Sequence, residues 1–218
     1  MVVRDRVNVL GICGSLRAAS LNAALLRAAA DLSPAGVTVH LYEGLADVPP
    51  YNGDLDGQQP PGSVADLRER IRRADALLVS TPEYNYSIPG VLKNALDWAS
   101  RPVASSVLRA KPVASIGAAP GNFGTVRAQL ALRQVWLSTG SIPVTRPELH
   151  VFRAKERFDG DGTLTDPGTR QLLTELLEAL RDLALVTGAA AARPPAAPVR
   201  LAPKAQTHEP VRHLKGLS

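Results

Sequence analysis

Ser15, Arg17, Ser20 and Asn22 follow one another closely in a loop that joins the apolar run at residues 7–12 to a helical pattern starting at Leu21. Gly14 in this loop lets backbone amides come close to an anion, and a helix that starts at once aims its free N–H groups and the positive end of its dipole at the same point. The two serines can donate hydroxyls, Asn22 an amide, and the Arg17 guanidinium can grip two oxygens of one phosphate. These are the ingredients of a cradle for a phosphate dianion. Neither Gly-x-Gly-x-x-Gly nor Gly-x-x-x-x-Gly-Lys-Ser/Thr is present, so the loop is neither a dinucleotide fingerprint nor a Walker loop. The same residues also describe an ordinary strand-to-helix turn whose serines only cap the helix.

A second group of functional side chains comes after the apolar run at residues 76–80, in Thr81-Pro82-Glu83-Tyr84-Asn85-Tyr86-Ser87-Ile88-Pro89-Gly90. Two tyrosines, an asparagine and a glutamate can offer ring faces, backbone amides and hydrogen-bonding edges to a flat polar heterocycle, and the prolines stiffen both ends of the turn. Tyr86 in such a turn serves either a ligand or a packed neighbouring subunit. A third segment, Ser115-Ile116-Gly117-Ala118-Ala119-Pro120-Gly121-Asn122-Phe123-Gly124, is rich in glycine. It allows backbone to lie close to a ligand rim, or it is a plain connection.

The elements that must position these loops alternate. Residues 7–12, 37–42, 76–80 and 112–116 read as strands, with a fifth inside 142–151. Helical patterns fill 21–32, 89–99 and 125–138, and Ser63-Val64-Ala65-Asp66 reads as a capping box that opens another. A last helix begins at Thr165 or Asp166, with Pro167 in its first turn, and Gly188 ends it. Such alternation implies right-handed βαβ crossovers and a parallel sheet covered on both faces. Sheets of this kind take ligands beyond the carboxyl ends of their strands, at the switch in strand order. All three loops follow strands, so they converge on one crevice that suits a flat cofactor bearing a phosphate.

The chain has 218 residues, suited to one domain with a proper core, and its hydrophobic content of 45% and charged content of 21% are those of a soluble globular protein. No run of about 18 uncharged apolar residues and no basic-then-apolar leader is present, which sets a cytoplasmic location and no membrane contact as expectations. One cysteine excludes an internal disulfide framework and a cysteine metal cluster. Cys13 ends the first strand, as a small buried residue or as a thiol beside the anion loop. The net charge of +5 comes with only 4% aromatic residues and no Lys/Arg block interleaved with them. Small anionic ligands therefore fit better than nucleic acid. Residues 188–218 are rich in proline, alanine and basic side chains and read as a flexible tail after a domain at 5–187.

Gly14-Ser15-Leu16-Arg17 with Ser20 and Asn22, together with the long run from Thr81 through Gly90 to Val91-Leu92-Lys93-Asn94-Ala95-Leu96-Asp97-Trp98, resembles the NADPH-dependent FMN reductase family. The resemblance implies a flavodoxin-like α/β three-layer sandwich around a five-stranded parallel sheet in the order 2-1-3-4-5. It implies FMN with its phosphate at Ser15, Leu16, Arg17, Ser20 and Asn22. The isoalloxazine then lies along Pro82, Glu83, Tyr84 and Asn85, with Ser115, Gly117 and Gly121 on the other side. Also implied are ping-pong turnover from NADPH or NADH to a quinone, chromate, an azo compound or free flavin, and a homodimer or homotetramer. No side chain is assigned as nucleophile or obligatory base, since the flavin carries the chemistry. Where tyrosine is frequent in that family this chain has Leu130, and Arg127 and Glu148 are an expected ion pair across a subunit boundary or within the chain.

Two rival functions stay open at this level: a flavodoxin-type electron carrier without its own NAD(P)H oxidation, and a nucleotide or sugar-phosphate binding module without redox chemistry. Asp159-Gly160-Asp161-Gly162-Thr163 imitates the signature of the haloacid dehalogenase-like phosphatases. Too little chain follows it for that fold, and an exposed Asp/Gly turn is the better account. The four histidines have no metal-ligand spacing.

Overall fold

The computed structural model describes residues 6–57 and 59–191. Strands β1 (Val7–Cys13), β2 (Val37–Tyr42), β3 (Ala76–Ser80), β4 (Pro112–Ala118), β5 (Ile142–Pro143) and β6 (Leu149–Val151) alternate with helices α1 (Leu21–Asp31), α2 (Gly62–Arg73), α3 (Gly90–Ala99), α4 (Val126–Thr139) and α5 (Pro167–Ala191). The sheet is parallel, in the order β2-β1-β3-β4-β5, with β6 also paired to β4. This is the flavodoxin-like order that the family resemblance implies. Its switch point falls between β1 and β3, where the chain leaves one edge and begins to build toward the other.

The fifth strand arrives in two pieces. Ile142 and Pro143 pair with Pro112 and Val113, whereas Leu149, His150 and Val151 pair with Ile116, Gly117 and Ala118. Pro143 and Pro147 bracket the break, and neither has an N–H to give to a ladder.

Alternation along the strands separates two cores. Val7, Val9, Ala76, Leu78, Ala114 and Ile116 pack against Leu25 and Leu26 of α1 and Leu173, Leu177 and Leu180 of α5. Leu10, Ile12, Leu77, Val79 and Val113 pack against Leu67 of α2, Leu92 and Leu96 of α3 and Trp136 of α4. The central strand β3 is buried along its whole length, as strands covered on both faces must be.

Two helix boundaries differ from expectation. The capping box at Ser63 does not form: α2 opens at Gly62, without a side-chain cap, and the Pro61 carbonyl takes the amides of Val64 and Ala65 at 2.9 and 3.0 Å. At the other end α5 runs past Gly188 to Ala191. A single glycine among alanines costs a helix only ~1 kcal/mol, too little to stop one that is already long. Residues 192–218, most of the expected tail, lie outside the described residues. Among the described residues, no helix is long and apolar enough to cross a membrane.

The strand register fixes where the loops meet. Cys13 stands opposite Ser80, and Ser80 opposite Ile116. The ladders continue one step further, with Gly14 N donating to the Ser80 carbonyl at 2.8 Å and Thr81 N to the Ile116 carbonyl at 3.0 Å. Three strands therefore deliver their loops at one level.

Candidate functional site

The β1–α1 loop holds Leu16 and Arg17 outward, with Ser15 half-buried before them. Leu16, Arg17, Ala18 and Ala19 are exposed, and the Arg17 amide leans on Ser15 Oγ at 3.4 Å. Among the described residues, the amides of Leu16, Ala18 and Ala19 have no hydrogen-bond partner and the Arg17 guanidinium forms no ion pair. Ser20 is the N-cap of α1: its Oγ accepts from Ala23 N at 3.2 Å. The loop is thus a run of free amides with one free guanidinium, beside a helix N-terminus. That donor set matches a phosphate dianion.

Asn22 lies below the loop, 3% exposed, with its amide committed to the sheet. Its Oδ1 accepts from Ala118 N at 2.9 Å and from Ser80 Oγ at 3.1 Å, and its Nδ2 donates to the Ala118 carbonyl at 3.0 Å. It ties α1 to the ends of β3 and β4 and leaves one amide hydrogen over. Cys13 is half-buried with Sγ 3.4 Å from the Ser15 carbonyl, and burial pushes its thiol pKa up. It stays a thiol, which makes it a packing residue rather than a nucleophile.

After β3 the chain turns sharply. Tyr84 and Ser87 exchange two backbone hydrogen bonds of 3.0 Å, and the residues between them, Asn85 and Tyr86, have φ of 50° and 69°. That is a two-residue hairpin of the primed type, unusual in holding tyrosine where glycine or asparagine is favoured. Tyr84 and Tyr86 remain open to solvent.

Glu83 reaches across to the next loop. Its Oε2 accepts from the amides of Arg127 and Ala128 at 2.9 and 3.3 Å, and its Oε1 accepts from the Arg127 guanidinium at 2.7 Å. The N-cap of α4, Thr125, is left-handed at φ 66° and offers no side-chain cap, so a carboxylate from another loop takes that place. Burial raises the Glu83 pKa, but the hydrogen bonds from Arg127 and Ala128 outweigh it and hold the carboxyl below its ordinary range. The Arg127 guanidinium lies between two rings, 4.0 Å from the centre of Tyr86 and 4.1 Å from that of Phe123.

Strand β4 continues through Ala118, so Gly117 is a strand residue rather than part of an open glycine loop. A Cβ there would stand 1.9 Å from Thr125 Oγ1 and 2.6 Å from the Thr81 carbonyl. Its glycine permits the β3 and β4 loops to press together. Ser115 is half-buried and its Oγ accepts from Trp136 Nε1 at 3.0 Å. Gly121 stands in the open: a Cβ at that position would meet no other atom within 4 Å. Of the three residues expected from this segment, only Gly121 faces free space.

The Glu83–Arg127 contact is absent from the sequence reading. Glu148, the expected partner of Arg127, instead pairs with Arg133 and stands 3.3 Å from His150. Nothing local signals the true pair, since the two residues are 44 positions apart.

Comparison with known proteins places this arrangement. The family model described as NADPH-dependent FMN reductase matches residues 7–156. An NAD(P)H-dependent FMN reductase of Pseudomonas aeruginosa is 46% identical over 177 residues, covering 81% of this chain and 95% of the relative. An NAD(P)H:quinone oxidoreductase of Solanum tuberosum is 42% identical over 192 residues, covering 85% of this chain and 96% of that protein. The solved structure of the flavoenzyme NAD(P)H:(acceptor) oxidoreductase FerB from Paracoccus denitrificans superposes with a TM-score of 0.75 at 38% identity, covering 82% of this chain and 97% of that one. With the family model matched over residues 7–156 and these relatives similar over most of its length, the chain belongs to the NADPH-dependent FMN reductase family.

Proposed function

We propose that this protein is an FMN-dependent oxidoreductase that oxidises NADPH or NADH and reduces quinone-type acceptors. The observation that carries the reading is the β1–α1 loop, whose amides at Leu16, Ala18 and Ala19 and whose Arg17 guanidinium have no partner among the described residues and fit the phosphate of FMN. FMN, when bound there, would supply the two-electron redox chemistry between the nicotinamide and the acceptor. Ser15, Leu16 and Arg17 bind the phosphate from the loop, and Ser20 orients the helix terminus that faces it. Asn22 supports that terminus from below and has one amide hydrogen left for the ligand. Pro82, Glu83, Tyr84 and Asn85 form the wall along the ring system, and Gly121 leaves space on the opposite rim. Ser115 and Gly117 shape that rim from behind, through Trp136 and Thr125. The backbone amides of Glu83 and Asn85, on either side of the Tyr84 amide that Ser87 takes, supply fixed dipoles that favour negative charge on the ring's polar edge.

A second copy of the chain belongs to this reading, as a homodimer or homotetramer. Leu130 and Leu137 are 52% and 83% exposed and lie two turns apart on one face of α4. These apolar side chains support a contact made by packing, since Leu130 can give no polar bond. A cytoplasmic site of action accords with NAD(P)H as electron donor and with the free thiol of Cys13.

The test is a spectrum and a titration. Purified protein reconstituted with FMN shows bound-flavin absorbance, bleaches on NADPH or NADH without any partner reductase, and recovers colour on adding a quinone. Bleaching that requires a partner protein would point to an electron carrier of the flavodoxin type. Protein that stays colourless with excess FMN would end the flavin reading.

A further inference from the structure

Resting on the reading above, we propose that the mouth of the site does not discriminate flat acceptors by charge, because Glu83 cancels the charge of Arg127 inside an aromatic stack made by Tyr86 and Phe123. The stack joins the two loops that follow β3 and β4. Tyr86 contributes from one and Phe123 from the other, with the guanidinium 4.0 and 4.1 Å from their ring centres. Both rings keep open area toward solvent, at 72% and 62% exposure.

An arginine at the mouth of a redox site would ordinarily attract anions, because its charge is permanent and its donors form a fork that fits oxyanions. Here that charge is already answered. The Glu83 Oε1 takes the guanidinium at 2.7 Å, and both partners are half-buried, at 13% and 28% side-chain exposure, so water screens the pair less than one on the open surface. The second Glu83 oxygen is held by the first amides of α4, which keeps the carboxylate ionised and in place. What this part of the rim presents is therefore aromatic area with little net charge. A neutral quinone gains ring contact there, while an anionic acceptor of the same shape gains ring contact without an unpaired cation. The net reaction consumes one NAD(P)H, one proton and one quinone and yields NAD(P)+ and one hydroquinone. A charged substituent on the acceptor takes no part in that balance, so its influence is on binding alone.

The experiment compares kcat/KM for 1,4-naphthoquinone and its 2-sulfonate with the flavin-loaded full chain, at low ionic strength. Taking the sulfonate-to-parent ratio in each protein removes the difference in potential between the two quinones. Glu83→Gln keeps an oxygen for the α4 amides but frees the Arg127 charge, and raises the ratio about three- to tenfold, the size expected for one unscreened charge near a surface. Arg127→Gln leaves the carboxylate unanswered and lowers the ratio by a similar factor. The double variant returns it to the native value, and roughly 0.5 M salt flattens both single-variant changes. A purely structural clasp would slow both quinones alike, so ratios that stay equal across the variants would overturn the proposal. If Glu83→Gln fails to fold, Arg127→Gln alone still tests the proposal, since it should lower the ratio and an unchanged ratio would overturn it. Failure of the native protein to oxidise NAD(P)H with either quinone would instead overturn the oxidoreductase reading on which the proposal rests.

Discussion

Asn22 and Ala118, 96 positions apart, exchange two hydrogen bonds: the side-chain oxygen takes the backbone amide at 2.9 Å and the side-chain nitrogen gives to the carbonyl at 3.0 Å. The pair acts as a side-chain extension of the sheet. It pins the start of α1, and with it the β1–α1 loop, to the last residue of β4. Replacing Asn22 by alanine strands a buried amide and a buried carbonyl along with the Ser80 hydroxyl, and is expected to cost about 2–4 kcal/mol. Urea unfolding of the apo-protein measures this directly. Flavin affinity falls too, since the cradle loses its anchor.

Arg17 behaves in the opposite way. It is exposed and makes no ion pair among the described residues, so Arg17→Ala is expected to leave apo stability within ~0.5 kcal/mol. The same change weakens FMN by about 1.5–3 kcal/mol, the scale of a charge-assisted hydrogen bond. Fluorescence titration with FMN and with riboflavin checks it, because a phosphate contact is lost from the first and was never present in the second. Equal losses for both ligands would move Arg17 away from the phosphate.

Glu83 links stability to pH. Its carboxyl is held below the ordinary range in the folded chain, so its contribution is complete above the unfolded-state pKa and disappears as pH falls through the lowered folded value. Urea midpoints of the native chain should therefore drop between neutral pH and pH ~3, within the usual carboxylate range. Glu83→Gln should start lower at neutral pH and show a shallower acid slope. Parallel pH profiles for the two proteins would remove Glu83 from the acid response. Asp166, whose carboxylate is held by the Thr169 hydroxyl and amide and by Arg157, has a lowered pKa as well and keeps part of the slope in both.

Two glycines on the same rim give a paired contrast. Gly117→Ala forces a Cβ to 2.6 Å from the Thr81 carbonyl, and the backbone must move, at an expected cost of about 1–3 kcal/mol. Gly121→Ala meets nothing within 4 Å and is expected to fold normally. Thermal unfolding separates them. If Gly121→Ala nevertheless weakens flavin binding without changing stability, that open space is where the ring lies.

Much of the architecture is written locally. Apolar runs with turn residues between them place β2 and β3 at their observed bounds, and α3 begins within one residue of Pro89, because strand and helix periodicities are properties of neighbouring residues. The Ser15–Arg17 loop is legible for the same reason: donor types, glycine and a helix start all lie in one short stretch. Tertiary structure decides which of those donors remain free. Asn22 looks like a loop ligand in sequence, and only the approach of β4 turns it into a sheet anchor. Gly117 looks like a loop glycine until Thr81 and Thr125 close on it. Glu83 and Arg127 carry no mark of each other in sequence, because their pairing depends on two crossovers bringing separate loops to one level. A chain states its local periods and its available chemistry, but a hydrogen bond between distant residues exists only once the sheet order has set the distance.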